Sequence, residues 1–198
     1  MRIPPIILLL AVLAAGFTTA PAASAPVQPP GTWTGSCDVS FHGTSTLHDF
    51  DGTVRAVPLE VKVEPDKSGP VVSVAARVTV ADMRTGDDGR DAKMRSMFQS
   101  SSFPQLEVKV EKAPVSQARP TAGGAAGTLP VKLIIAGNAA AVSGRVTDLK
   151  ETADSVSFTL SFPVSLAACK LKPPSVAGLI RVGDEVTVKS WVSLKRKK

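Results

Sequence analysis

Tyrosine is missing from this chain, and the other residues that carry acid–base chemistry are few: two histidines and two cysteines in 198 residues. The first absence removes any phenolic acid or base. The two histidines, His42 and His48, suit neither one face of a helix nor the usual zinc spacing. Adding Asp49 or Cys37 to them makes a poor metal set. There is no Gly-x-Ser-x-Gly elbow, no His-Glu-x-x-His, no phosphate-binding Gly-Lys-Ser/Thr loop and no dinucleotide fingerprint. Ser45, His48 and Asp49 have the chemistry of a triad. A triad, however, is defined by spatial geometry rather than by closeness in sequence, and these read as polar turn and strand residues. Asp82, Asp87, Asp88 and Asp91 lack the ligand order of an EF-hand and read as a solvated loop with a helix cap. The expectation is a protein without catalysis, cofactor or metal. The chain is basic, with a formal charge of +6, but its aromatics amount to 5%. Basic residues interleaved with acidic ones, without an aromatic stacking platform, argue against nucleic-acid binding.

Long apolar runs are also scarce. The one at Ile6 to Phe17 follows Arg2 and precedes small residues, Thr18 to Ala25. That order is a secretory leader, too short to cross a hydrocarbon core of roughly 30 Å. Residues 1–25 are therefore expected to be removed, with cleavage after Ala22 or Ala25. Leu13-Ala14-Ala15-Gly16 is followed by Phe17 and not Cys, so lipidation there is chemically excluded. An exported protein, periplasmic or secreted, follows. Residues 26–31 read as a Pro-rich lead-in, 32–195 as one domain and 196–198 as the end of a basic tail that starts at Lys195. Such a tail is ordinarily solvated and could also touch an anionic membrane surface. An even cysteine count in an oxidising compartment points to one disulfide, Cys37 to Cys169, with two separate buried thiols as the alternative.

The remaining pattern is period two, again and again. Leu59, Val61 and Val63 alternate with charged residues, as do Leu106, Val108 and Val110. Val72, Val74, Ala76, Val78 and Val80 share one phase, and Leu129, Val131, Leu133 and Ile135 share another. Val156 to Val164 and Val186 to Val192 repeat the theme. Each segment is a strand with one apolar face, and many such strands mean an antiparallel sandwich or barrel. Pro58 inside a strand pattern predicts a bulge or an edge. Gly137-Asn138 predicts a tight hairpin, and Ala113 to Thr128 a Gly/Ala/Pro-rich loop. One segment is helical: Arg90 to Gln99 spaces Met94, Met97 and Phe98 along one face, with Asp88 or Asp91 as N-cap. A second helical turn is expected near Val176 to Ile180. Alternation alone does not choose between a filled sandwich and a barrel with room for a ligand.

Three ordered motifs carry a resemblance. Gly43-Thr44-Ser45-Thr46-Leu47-His48-Asp49-Phe50-Asp51-Gly52 resembles the opening signature of the YceI-like, polyisoprenoid-binding periplasmic family, a Ser-x-x-His-x-aromatic-x-Gly run. Arg90-Asp91-Ala92-Lys93-Met94-Arg95-Ser96, with Phe98 and Phe103-Pro104, is similar to that family's helix and the strand entry after it. Phe162-Pro163-Val164 through Pro173-Pro174 to Ile180, ending in Asp184-Glu185-Val186-Thr187-Val188, makes the third. Together they span roughly residues 32 to 195. The sequence departs from the family at Gly137-Asn138-Ala139-Ala140, where a basic residue is lost, and at Met97-Phe98-Gln99, where paired aromatics are usual.

The resemblance implies an all-β, eight-stranded antiparallel, lipocalin-like barrel with one or two short helices and an apolar tunnel for an isoprenoid or other long-chain lipid. Its candidate lining is Phe41, Leu47, Phe50, Leu59, Val61, Val74, Phe98, Phe103, Phe158, Leu160 and Phe162. His48 would orient a headgroup or tie the barrel mouth, and Arg90 and Arg95 could meet a phosphate. The alternative is an exported barrel with a filled core that acts by binding another protein.

Overall fold

The computed structural model describes residues 29–121, 123–176 and 180–198. The elements run β1 (Gly31–Ser45), β2 (Phe50–Glu64), β3 (Val71–Thr79), β4 (Met83–Arg84), α1 (Asp88–Met97), β5 (Gln105–Pro114), β6 (Gly127–Ile135), β7 (Asn138–Glu151), β8 (Ser155–Ser165), β9 (Ser175–Val176) and β10 (Ile180–Arg196). Short 3-10 turns at Val80–Asp82 and Val115–Ala118 connect them. The long strands pair antiparallel in the order β1-β10-β8-β7-β6-β5-β3-β2, and β2 pairs back to β1. The sheet is thereby closed into an eight-stranded barrel with no free edge around its circumference. The two-residue strands β4 and β9 only append to β2 and β10.

Alternation places the apolar residues inside. Odd positions of β6 from Gly127 to Ile135 are buried and even ones are exposed or half-buried. The buried set forms one cluster that runs through all eight strands and α1. At about 2 kcal/mol for each fully buried aliphatic or aromatic side chain, this interior is the main stabilising term of the fold.

Bulges correct the alternation where it would otherwise fail. In β2 the inward residues are Phe50, Gly52 and Val54, then Val57, Leu59, Val61 and Val63; the β1–β2 register shifts opposite Asp38, between Cys37 and Val39. That bulge lies beside Pro58, as its position in the pattern predicts, and the β2–β3 ladder has already ended at Val61. In β7 the inward phase passes from Gly144 and Val146 to Leu149 and Glu151. The switch falls at Asp148, which has a positive φ of 54°, within a register shift between Thr147 and Lys150. A bulge adds one residue to one strand and moves every later side chain to the other face.

The hairpin expected at Gly137-Asn138 is shifted by one residue. Ile135 pairs with Asn138, so the two-residue loop is Ala136-Gly137, with φ of 46° and 76°. Two successive positive φ values give the type I′ turn that matches strand twist. The Asn138 side chain donates to the Ala136 carbonyl and holds this turn. The helix N-cap is Asp87, neither Asp88 nor Asp91. Its carboxylate accepts from the Arg90 N–H at 2.7 Å, and that bond holds its pKa below the usual range. The helical turn expected near Val176 to Ile180 centres on residues 177–179, which lie outside the described residues. Among the described residues no helix is long and apolar enough to cross a membrane.

Candidate functional site: an apolar cavity through the barrel

The barrel encloses a cavity of about 280 Å³ whose wall takes residues from all eight long strands and from α1. The volume is close to the lower end of ligand pockets, roughly 300–1,000 Å³. It exceeds by about two-fold the ~150 Å³ of an engineered apolar cavity that stays dry.

Two glycines shape one end of it. Phe41 of β1 faces Gly52 of β2, and Phe50 of β2 faces Gly43 of β1. A Cβ at Gly52 would stand 2.1 Å from the Phe41 ring, and one at Gly43 would stand 2.5 Å from the Phe50 ring. Each ring therefore lies across its glycine partner, and both rings form cavity wall. This explains the spacing of the first motif: each aromatic needs a glycine opposite it. Between them the turn is tied by Ser45. Its hydroxyl donates to the His48 carbonyl at 2.6 Å and accepts from the His48 N–H at 3.1 Å. His48 and Leu47 sit on this turn, exposed; Leu47 is 59% exposed. Neither belongs to the cavity wall, because the turn projects beyond the last β1–β2 pair, Gly43 to Phe50.

Helix α1 covers the same end. Met94 and Phe98 are buried, Met97 is half-buried, and all three join the wall with Arg90. The Arg90 guanidinium lies over the Phe50 ring, 4.9 Å from its centre, a cation–π contact that docks the helix on β2. Asp91, 2% exposed, fixes the incoming chain by accepting from the Thr85 N–H at 2.9 Å and the Thr85 hydroxyl at 2.6 Å. Phe103, by contrast, is not in the wall. Its ring packs on the β6–β7 turn, 3.1 Å from where a Gly137 Cβ would be.

The other candidates converge along the length of the barrel. Leu59 and Val61 enter from β2 and Val74 from β3. Phe158, Leu160 and Phe162 enter from β8. Nine of the eleven proposed apolar residues thus share one cavity, and Leu47 and Phe103 do not.

The expected disulfide is absent. Cys37 and Cys169 are separate buried thiols. Cys37 pairs across β1 with Val192 of β10. Cys169 lies in the turn after β8, which is tied to Asp184: the Ser165 hydroxyl donates to that carboxylate at 2.6 Å and the Ala167 N–H at 2.7 Å. From Asp184 to Val192 the strand covers about 26 Å at ~3.3 Å per residue. A disulfide spans less than about 7 Å between Cα atoms. Burial, with the Asp38 carboxylate adding to it, pushes the Cys37 thiol up to about 11. Burial and then Asp184 also raise Cys169.

The opposite end of the cavity holds what sequence reasoning missed. Trp33 of β1 forms wall there and is 1% exposed. So do Arg119, after the 3-10 turn at Val115–Ala118, and Glu151 at the end of β7. Their side chains meet at 3.0 Å and are 19% and 11% exposed. Register links the two sides: Gly35 pairs with Leu194, Leu194 with Val156, and Val156 with Glu151. Regular alternation would turn Glu151 outward, so only the β7 bulge could have revealed it. The basic tail is at this end too, with the Lys197 N–H bonded to the Thr32 carbonyl.

The whole barrel, residues 33–194, matches the family model described as YceI-like domain. Among solved structures, the chain is similar to BcnA of Burkholderia cenocepacia, with a TM-score of 0.60 and 20% identity over 80% of this chain and 95% of that one. It is similar to a polyisoprenoid binding domain from Saccharophagus degradans implicated in plant cell wall breakdown, with a TM-score of 0.58 and 11% identity over 85% and 100%. A YceI protein of Campylobacter jejuni follows, with a TM-score of 0.53 and 14% identity over 74% and 85%. At these identities the structures show a shared fold. No curated protein sequence matches the chain.

Proposed function

The chain belongs to the YceI-like family, and from that premise we propose that it is an exported carrier that holds a long apolar ligand, an isoprenoid or related lipid, inside its barrel. The observation that supports this reading is the single cavity running from Trp33 to Phe50 and α1, walled almost wholly by hydrocarbon. A filled core would place side chains where this space lies. Each CH₂ of a cargo moved there from water contributes about 0.8 kcal/mol before ordering costs. The polyisoprenoid-binding description of one structural relative favours the same class of ligand. Leader-like residues 1–25 favour export to the periplasm or beyond. The reading involves no catalysis: the wall offers binding surface, and its one thiol, Cys37, pushed up by burial, is a poor nucleophile.

The test is calorimetric titration of delipidated protein with a prenyl alcohol. One site per chain and a negative heat-capacity change are expected, since burial of apolar surface gives that sign. Val74→Trp, which fills the wall, should abolish uptake while the far-ultraviolet circular dichroism stays that of a β-barrel. No uptake by the wild type would favour a protein-interaction module instead.

A further inference from the structure

The outer wall of the barrel is not uniform. β2 turns Glu60, Lys62 and Glu64 outward, the alternating charges of a solvated face. The ladder β1-β10-β8 is built differently. Its Cys37, Val192 and Phe158 point into the cavity, so the residues between them point out. At the centre of that outer face is Trp191 of β10, 45% exposed. It pairs with Asp38 of β1 on one side and Thr159 of β8 on the other. Two residues along, Ser193 pairs with Ser36 and Ser157; two residues back, Lys189 pairs with Ser40 and Ser161. The indole is thus framed by six hydroxyl residues, one carboxylate and one ammonium, with no aliphatic residue among its eight neighbours. Short side chains leave the ring face open. Among the described residues the cation that lies over a ring is Arg90, on Phe50, and none covers Trp191.

This chemistry selects the occupant. A nucleic acid or an anionic membrane needs clustered cations, and this face is neutral in sum. A protein partner needs an apolar core depleted of charge around its aromatic anchor, and here the anchor stands in hydroxyls, Asp38 and Lys189. A sugar ring has the matching surfaces: a face of C–H bonds for the electron-rich indole and a rim of hydroxyls for short polar side chains. We propose that this face is a second binding site, for a neutral pyranose chain, with one sugar ring stacked on Trp191. The Asp38 carboxylate accepts from the sugar hydroxyls, and Lys189 and the flanking serines donate to them. The site lies outside the cavity, because Trp191 is not part of its wall, and it stands or falls independently of the carrier reading.

The chain has two tryptophans, so a ¹H–¹⁵N spectrum carries two indole signals, and Trp191→Phe assigns them. Cellohexaose, a neutral glucose hexamer, should move the Trp191 indole and the amides of Asp38, Ser193 and Thr159 at millimolar sugar. The Trp33 indole should stay in place. Trp191→Ala should abolish the amide shifts. Ser193→Arg, which keeps the ring and lays a long side chain beside it, should weaken binding roughly 10-fold, the scale of one aromatic stacking contact. Cellohexaose moving no signal, or moving Trp33 and not Trp191, would overturn the inference. So would signals of this face that broaden with rising protein concentration in the absence of sugar, which would assign it to a contact between copies of the chain.

Discussion

Phe41 and Phe50 reach the cavity because Gly52 and Gly43 let them lie flat across the neighbouring strand. Gly52→Ala should push the Phe41 ring inward, with a stability loss of about 1–3 kcal/mol in urea unfolding and weaker lipid uptake. Asp91 makes a different contribution. Asp91→Ala strands the half-buried Thr85 N–H and should destabilise by about 1 kcal/mol, whereas Asp91→Asn, which keeps an acceptor, should lose less. Cys37 adds a pH dependence. Its thiol stays protonated in the fold up to about 11, while an unfolded chain ionises it near ~8.5. Below that lower value both states hold the proton and the thiol contributes nothing. As pH rises from ~8.5 toward the folded value, the unfolded chain loses its proton first, so stability falls. Cys37→Ala should therefore show a shallower decline of the urea midpoint with rising pH than the wild type; equal declines would contradict the assignment. Counting thiols in the denatured, unreduced protein checks the pair, and both cysteines should react.

Strands were legible because alternation survives in most of them, and the helix was legible from Met94, Met97 and Phe98. The elements that alternation hid are those containing bulges. A reader counting by twos along β7 places Glu151 outside with Lys150's neighbours, and only the positive φ of Asp148 moves it inside. The same blindness applies to Arg119, which sits in what the composition of residues 113–128 shows only as a loop. Leu47 and Phe103 illustrate the converse: apolar residues next to a motif were assigned inward, yet the turn and the β6–β7 hairpin hold them elsewhere. The disulfide failed for a related reason. Cysteine count and compartment say nothing of height along a barrel, and Cys37 and Cys169 differ in that coordinate. At this scale, deleting one residue at the β7 bulge should turn Leu149 and Glu151 outward. The Trp33 end would lose its polar wall, and hydrogen exchange should speed up in β7 and β8 but not in β2.

Closure of β1 on both β2 and β10 gives the molecule a hollow that no single strand specifies. The resemblance in the three motifs made the barrel legible; alternation alone left a sandwich equally open. Export is checked by the N-terminus of the mature protein, expected at Ala23 or Pro26. The central claim, that the hollow is occupied by lipid, is checked most directly by native mass spectrometry of protein purified from its own cells. The account expects one organic-extractable adduct per chain, lost on delipidation and restored by an added prenyl quinone. A clean protein mass that stays unchanged on adding the quinone would contradict it.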